Sequence, residues 1–334
     1  MVGLAVTPID LEPFRVGGPQ EKRRVVAAID EACRVTGFLQ IVGHGIEPAI
    51  SARMLDVTAT FFDQPVELKS TCIVDDLSAN RGYASEGTEA LSYSLGEEPA
   101  APDLFEAFNA GWDRRSIEPK YLERYRRFYA PNVWPSMPPA MAGVWAEYQA
   151  AVALVADDLL VAFALALDVA PTFFIERTRR ALVTTRAINY QRRSNSPEPL
   201  PGQMRMGAHT DYGILTLLTA DDVPGLEVFH DYQWKPVTVP FGSLMVNIGD
   251  MLATWTNDRW VSTLHRVAPM PANEEPSRRR SVAQFVEADP DSIIRCLPSC
   301  TDVSNPPRYG SVTAGDYLLA KLMGPREMRK SELG

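Results

Sequence analysis

Ala208-His209-Thr210-Asp211-Tyr212-Gly213 is the stretch from which the fold of this chain is best argued. It places a histidine and an aspartate two positions apart, and a further histidine, His265, follows later in the chain. In a β-strand, or at its end, residues i and i+2 project to the same side, so both side chains can reach one metal ion. Two imidazoles and one carboxylate form the facial ligand set of non-haem Fe(II), which leaves positions open for oxygen and a substrate. The spacing therefore predicts an Fe(II) centre formed by His209, Asp211 and His265.

The sequence around this stretch is typical of β-structure. From Leu182 onward, short runs rich in β-branched and aromatic residues alternate with turn residues, as they do in β-sandwiches and jelly rolls. We predict strands within residues 184–190, 213–219, 226–229, 235–239, 243–248, 265–268 and 280–286.

The first half of the chain has helical periodicity instead. Apolar residues recur at helical spacing within residues 21–35, 47–62 and 138–168, which predicts three amphipathic helices. The last of these contains aspartates, so we interpret it as a buried core helix and not as a membrane span. The expected fold class is α+β, with a double-stranded β-helix (jelly roll) core braced by N-terminal helices.

We expect one compact unit with three segments. An N-terminal helical region covers residues 1–180, and it contains a polar, glycine-punctuated stretch at 75–111 that we predict to be a lid loop. The catalytic core covers residues 181–290. A C-terminal segment, 291–334, completes the chain.

The composition and charge of the chain indicate which kinds of molecule it is not expected to bind. The 334 residues are 46% hydrophobic, which is enough for a large core. The net charge of −9 is spread along the chain, which argues against nucleic acid and anionic membranes as partners. The four cysteines lack the paired spacing of a zinc site. We expect free thiols in a cytoplasmic protein that is a monomer or a weak homo-oligomer.

A second candidate site lies in Arg278-Arg279-Arg280-Ser281, beyond His265. A solvated basic turn is the simplest interpretation of three arginines, and we expect it for Arg278. The residues from Ser281 to Val286 alternate as in a strand, however, so Arg279 and Ser281 would point the same way. An arginine fork beside a serine hydroxyl is a good receptor for a carboxylate, such as the distal carboxylate of 2-oxoglutarate.

These residues give the chain a resemblance to a known family. It resembles the isopenicillin-N-synthase-like group of Fe(II)/2-oxoglutarate-dependent dioxygenases over most of its length. Residues 37–46 resemble the family's Gly-Phe-x-x-(Val/Ile)-x-x-His-Gly-(Ile/Val) signature. The other matching segments are 8–11, 61–65, 209–211, 247–250, 265–267 and the pair Arg279 and Ser281.

The resemblance implies a role for each matching position. His209, Asp211 and His265 would bind Fe(II), and Arg279 and Ser281 would hold the C5 carboxylate of 2-oxoglutarate.

The family also has an Asn-Tyr-Tyr-Pro-like element before the first histidine. The chain has Ile188-Asn189-Tyr190-Gln191 there, without the proline, and its register is ambiguous by one residue. Tyr190 is the expected contact to the co-substrate, with Asn189 as the second candidate.

The resemblance also implies the reaction. The chain is expected to be an oxidoreductase that uses Fe(II), 2-oxoglutarate and O₂. Oxidative decarboxylation of 2-oxoglutarate would be coupled to hydroxylation, desaturation or cyclisation of a small-molecule substrate. Two alternatives stay open. The chain could be an Fe(II) oxidase like isopenicillin N synthase, in which Arg279 and Ser281 hold the substrate's own carboxylate, or a jelly-roll binding protein without catalysis.

Overall fold

The computed structural model describes residues 3–76, 79–91, 101–112, 117–126, 128–191, 199–269 and 278–321. Fourteen strands and eight α-helices lie within these ranges. The strands are β1 (Pro8–Asp10), β2 (Phe38–Val42), β3 (Gly82–Ala84), β4 (Glu106–Gly111), β5 (Val183–Gln191), β6 (Met206–His209), β7 (Leu215–Ala220), β8 (Leu226–His230), β9 (Gln233–Pro236), β10 (Leu244–Ile248), β11 (His265–Val267), β12 (Arg278–Val286), β13 (Ile293–Ile294) and β14 (Val312–Thr313). The helices are α1 (Glu12–Val16), α2 (Pro19–Val35), α3 (Pro48–Phe62), α4 (Val66–Ser70), α5 (Pro119–Arg124), α6 (Met141–Ala166), α7 (Phe173–Arg177) and α8 (Asp250–Trp255). Residues 314–321 are also helical.

Two sheets pack face to face. The large sheet has eight strands in the order β1-β2-β10-β7-β12-β5-β4-β3, and the small sheet has the order β6-β11-β8-β9. Their facing side chains form shared apolar clusters, one of which joins Phe38 and Met245 of the large sheet to Val228 of the small sheet. A second cluster joins Tyr190 of the large sheet to Met206 and thus to the strand that ends at His209. The predicted jelly roll is confirmed.

The outer face of the large sheet is covered by helices. Strand β12 shows the alternation clearly, because Val282 and Val286 belong to the main helix-covered core, whereas Arg279 and Ser281 face the other way. Helix α6 is long and apolar enough to cross a membrane by length and composition alone. Its Trp145 and Phe163 are fully buried in that core, so it packs as the core helix that its pattern predicts.

The stretch predicted as a lid loop is partly strand where the structure describes it; its residues 77–78 and 92–100 lie outside the described ranges. Within residues 75–111, β3 and β4 join the edge of the large sheet, and β4 pairs with β5. The N-terminal half therefore supplies four strands of the large sheet as well as the bracing helices. Strand β4 has the sequence Glu-Ala-Phe-Asn-Ala-Gly, which lacks β-branched residues and so gives little intrinsic strand signal. Its burial on both faces, and not its propensity, makes it a strand.

A buried ion pair lies on the helix-covered side of this edge. Lys69 Nζ is 2.7 Å from Glu106 Oε2. The same carboxylate accepts hydrogen bonds from the Tyr83 hydroxyl at 2.6 Å and from Asn189 Nδ2 at 2.8 Å. Every oxygen of Glu106 thus has a partner, which is the condition under which a buried charge is tolerated.

Replacing Lys69 by methionine is expected to lower the free energy of unfolding by about 3–5 kcal/mol, because Glu106 then stays buried without its counter-charge. Urea denaturation followed by circular dichroism measures the change. Arg53→Met is the control, because it removes an exposed pair with Glu147 and should cost no more than about 1 kcal/mol. Equal effects of the two substitutions would contradict the role given to the buried pair.

Candidate metal centre

The two histidines of the predicted site are brought together by strand pairing. His265 in β11 lies directly opposite His209 in β6, and their ring centroids are 4.3 Å apart. Asp211 follows β6 by two residues, and its Oδ1 lies 3.9 Å from the Nε2 atom of each histidine. The structure therefore gathers all three predicted ligands, with their donor atoms within 4.8 Å of one another.

The histidine rings are oriented by backbone carbonyls. His209 Nδ1 is 2.8 Å from the Gly207 oxygen, and His265 Nδ1 is 3.1 Å from the Thr263 oxygen. A carbonyl oxygen can only accept, so each Nδ1 carries a proton, and a neutral imidazole held in this way presents the lone pair of its Nε2 towards Asp211. Such a hydrogen bond on the second nitrogen is the usual support of a metal-bound histidine.

The Asp211 carboxylate is oriented in the same manner. Its Oδ2 accepts hydrogen bonds from Thr216 Oγ1 at 2.5 Å and from Asn247 Nδ2 at 2.7 Å. These donors stand on neighbouring strands of the large sheet, β7 and β10. With Oδ2 occupied, Oδ1 is the oxygen directed at the two histidines.

Burial and mutual charge set the protonation states of the group. Burial, with a contribution from His265, lowers the pKa of His209 to about 4. Burial raises the pKa of Asp211, but His265, His209 and the bonds from Asn247 and Thr216 together outweigh it, and the pKa lies below its usual value. At neutral pH the imidazole of His209 is thus uncharged and the carboxyl group of Asp211 is an anion. A neutral imidazole pair with one carboxylate is the donor set that suits Fe(II).

Close backbone packing fixes the loop that carries Asp211. The Asp250 amide donates to the Asp211 carbonyl at 2.8 Å. A Cβ atom on Gly249 would lie only 2.3 Å from the Gly213 oxygen, so this approach requires glycine.

The same loop is linked to the C-terminal helix. Asp250 Oδ2 accepts hydrogen bonds from Thr210 Oγ1 at 3.2 Å and from Lys321 Nζ at 2.7 Å. Through Asp250, the helix at 314–321 is thus linked to Thr210, which lies between His209 and Asp211. We call His209, Asp211 and His265 the metal triad.

Replacing Thr216 by valine is expected to weaken metal binding about 10–100-fold, because it removes one of the two donors that orient Asp211. Anaerobic titration with Fe(II) measures the affinity. Thr219→Val is the matched control, since Thr219 lies on the same strand, is equally buried and bonds instead to the Tyr148 hydroxyl. A similar loss of affinity in both variants would mean that strand β7 is simply destabilised.

Arg279 and Ser281 lie side by side on the inner face of β12. Each is only 2% exposed, and Arg279 Nη1 donates to Ser281 Oγ at 3.1 Å. Within the described residues, Arg279 forms no ion pair and its Nε has no hydrogen-bond partner. A buried guanidinium without an anion is costly, so the pair is suited to hold a carboxylate from outside the chain.

The two candidates for a further co-substrate contact fall on opposite faces of β5. Tyr190 lies opposite Arg279, with its ring centroid 5.2 Å from the guanidinium carbon. Asn189 faces the helix-covered side, where it donates to Glu106 and accepts from Arg278 Nε at 2.6 Å. The solvated turn predicted for Arg278 is therefore wrong, because Arg278 is the first residue of β12. We call Arg279 and Ser281 the carboxylate anchor. The structure brings Tyr190, and not Asn189, to this anchor, because adjacent residues of a strand point to opposite sides.

Two polar residues of this region are absent from the sequence-based prediction. Thr216 is one. It could have been identified only from its position beside Asp211, and the sequence does not predict which strands become neighbours. Glu287 is the other, and it continues the inward alternation of Arg279 and Ser281 past the end of β12. Burial raises its pKa to about 8, although Arg81 acts in the opposite direction.

Comparisons with known families agree with this geometry. Residues 6–137 match a family described as non-haem dioxygenase in morphine synthesis, N-terminal, and residues 184–288 match the 2OG-Fe(II) oxygenase superfamily. The second match covers the triad and the anchor.

Individual proteins similar to this chain span nearly its whole length. A 2-oxoglutarate-Fe(II) type oxidoreductase, hxnY, from Emericella nidulans is 32% identical over 97% of this chain and 92% of its own. Validamycin A dioxygenase from Streptomyces hygroscopicus subsp. limoneus is 31% identical over 95% and 86%. The crystal structure of Neurospora crassa T7H in complex with alpha-KG and thymine superposes with a TM-score of 0.82 at 28% identity, covering 96% of this chain and 97% of that one.

Proposed function

Because the chain belongs to the 2OG-Fe(II) oxygenase superfamily, we propose that His209, Asp211 and His265 are its Fe(II) ligands and that Arg279 and Ser281 bind the C5 carboxylate of 2-oxoglutarate. The protein is an Fe(II)- and 2-oxoglutarate-dependent dioxygenase. It couples oxidative decarboxylation of 2-oxoglutarate to oxidation of a small-molecule substrate by O₂. The main sequence-based prediction is confirmed, and neither alternative is supported.

The observation that carries the residue assignment is the buried guanidinium of Arg279, which forms no ion pair within the described ranges. Arg279 lies on the same face of the large sheet as Thr216 and Asn247, the two residues that orient Asp211. Its strand, β12, is two strands away from β10, which carries Asn247. A dicarboxylate can therefore meet Arg279 at one end while its other end lies towards the triad. Ser281 adds a hydroxyl donor, and Tyr190 packs beside the guanidinium.

The chemistry divides between the cofactor and the chain. Bound Fe(II) with 2-oxoglutarate supplies the activation of O₂ for C–H oxidation. The chain supplies orientation: His209 and His265 present their Nε2 lone pairs, and Thr216 and Asn247 hold the Asp211 carboxylate so that one oxygen is free. The apolar cluster around Tyr190 and Met206 excludes water from the side of the anchor.

Anaerobic titration tests the assignment. Adding 2-oxoglutarate to the Fe(II)-loaded protein should produce a visible charge-transfer band, and admitting O₂ should release succinate. If the protein bound Fe(II) but gave neither the band nor succinate, the result would favour an oxidase like isopenicillin N synthase, which does not use 2-oxoglutarate. Failure to bind Fe(II) at all would favour a non-catalytic binding protein.

The remaining assignments are also proposals. The structural relative T7H is bound to thymine in its crystal structure, and another relative is named for validamycin A; a small polar molecule is therefore our proposed substrate class. The spread net charge of −9 supports a protein that binds neither nucleic acid nor anionic membranes. We further propose a cytoplasmic location and a monomer or weak homo-oligomer, which light scattering after size exclusion would test.

A further inference from the structure

The inner face of the large sheet continues beyond the carboxylate anchor with a pair of polar residues. Asn109 of β4 lies directly opposite Arg186 of β5. Their chain neighbours Phe108 and Ala187 belong to the main helix-covered core, so Asn109 and Arg186 project to the other face of the sheet. We call these two residues the polar pair.

The polar pair lies farther along the sheet than the anchor and still close to the metal centre. On β5, Arg186 is four residues from Tyr190 and pairs with Ala283, whereas Tyr190 pairs with Arg279. The two levels are thus about 13 Å apart along the strand. Ala283 is two residues from Phe285, which lies opposite Thr216, the residue that bonds to Asp211.

Both members of the polar pair have an unsatisfied atom. Within the described part of the chain, Asn109 Oδ1 and Arg186 Nε are buried and lack hydrogen-bond partners. Asn109 as a whole is only 4% exposed. Leaving a buried polar atom unpaired is costly, so an acceptor and a donor in this state on directly paired residues are suited to bind one ligand group together. Directly opposite residues have Cβ atoms about 5 Å apart, which lets both side chains reach one small group.

The charge of the pair is already compensated. Arg186 Nη2 is 2.9 Å from Glu89 Oε2, and this carboxylate balances the guanidinium. Asn109 is neutral. A neutral ligand therefore fits better than a second carboxylate, which would compete with Glu89, or a cation, which would meet the guanidinium.

We propose that Asn109 and Arg186 bind an amide-like edge of the primary substrate, that is, the adjacent N–H and C=O of a neutral lactam, imide or carboxamide. The N–H would donate to Asn109 Oδ1, and the C=O would accept from Arg186 Nε. This assignment rests on the proposed function, because it places the substrate beside the bound Fe(II) and 2-oxoglutarate. The polar pair is then a determinant of specificity.

Three small probes test the recognition of that edge. The full chain is loaded anaerobically with Fe(II) and 2-oxoglutarate, and 2-pyridone, N-methyl-2-pyridone and benzoate are each titrated with detection by saturation-transfer NMR. We expect 2-pyridone to bind at least about fivefold more tightly than its N-methyl derivative, which lacks the N–H and leaves Asn109 unsatisfied. Benzoate, a planar anion, should bind more weakly than 2-pyridone.

Variants assign the preference to the polar pair. Asn109→Leu should abolish the discrimination between the two pyridones, because Asn109 accepts the N–H that only 2-pyridone has. Arg186→Met removes the donor to the C=O that both probes share, so it should weaken the binding of both. Thr185→Val is the control, because Thr185 lies next to Arg186 on the helix-covered face, where it bonds with Gln149 and Gln284. The 2-oxoglutarate charge-transfer band, recorded on each sample, shows that the variant is folded and loaded.

The outcomes separate the two proposals. Equal binding of the two pyridones, no binding of 2-pyridone, or tighter binding of benzoate would overturn the inference while a normal band leaves the proposed function intact. Discrimination that survives Asn109→Leu, or unchanged binding of both pyridones by Arg186→Met, would overturn it as well. Absence of the band in the unaltered protein would refute the proposed function, and this inference with it.

Discussion

Replacing His209 by alanine is expected to abolish succinate formation and to weaken Fe(II) binding by more than about 100-fold. Even partners that only orient a ligand typically contribute 10–100-fold to affinity, and His209 presents its Nε2 directly, 3.9 Å from Asp211 Oδ1. Asp211→Ala should have the same effect. Anaerobic Fe(II) titration gives the affinity, and succinate analysis after O₂ admission gives the activity.

A fourth histidine provides the control for this experiment. His230 lies at the end of β8, with its side chain partly exposed beside Asp231. His230→Ala also removes an imidazole, so any effect of general histidine loss would be visible in it. We expect unchanged Fe(II) affinity and unchanged succinate yield. If His209→Ala retained Fe(II) binding comparable to His230→Ala, the ligand assignment would be wrong.

Replacing Arg279 by methionine is expected to raise the KM for 2-oxoglutarate about 100-fold while Fe(II) binding is retained. Loss of two hydrogen bonds to a charged group corresponds to about 3 kcal/mol, and each 1.4 kcal/mol is a factor of ten. Arg279→Lys should recover part of the loss, since an ammonium keeps the charge without the bidentate fork. Titration of the charge-transfer band at increasing 2-oxoglutarate concentrations measures the affinity directly.

The neighbouring arginine separates a specific effect from a loss of positive charge. Arg280 points to the other face of β12, where it pairs with Asp221 and Asp56. Arg280→Met therefore changes the net charge equally but should leave the KM for 2-oxoglutarate within about twofold, because its lost pairs lie away from the anchor. A rise in KM of similar size in both variants would show that β12 is disturbed as a whole.

The sequence predicts those parts of the site that depend on strand parity. His209 and Asp211 share a side because they are two residues apart, and so do Arg279 and Ser281; both predictions agree with the structure's geometry. The His265–His209 pairing is a long-range contact, which the ligand set of an Fe(II) site indicates but strand parity does not. Alternation within a strand is a local property, which a single sequence contains.

The parts that the sequence does not predict depend on which strands become neighbours. Thr216 orients Asp211 only because β7 lies beside the metal loop. The choice between Tyr190 and Asn189 depends on the register of β5 against β12, where a shift of one residue reverses every side chain. Strand β4 is held by burial and not by propensity. Register and burial belong to the assembled sheet, so no local pattern determines them.

The cross-strand position of the two histidines has a thermodynamic consequence for the whole sandwich. His209 and His265 stand on two different strands of the small sheet, and Asp211 is bonded to β7 and β10 of the large sheet. An ion held by all three would act as a non-covalent cross-link between the sheets. Its binding energy would then be available only to the folded chain, adding about 2.7 kcal/mol of stability when free Fe(II) is 100 times its dissociation constant. The iron supply would therefore determine how long this enzyme stays folded in a cell, and not only how fast it turns over substrate.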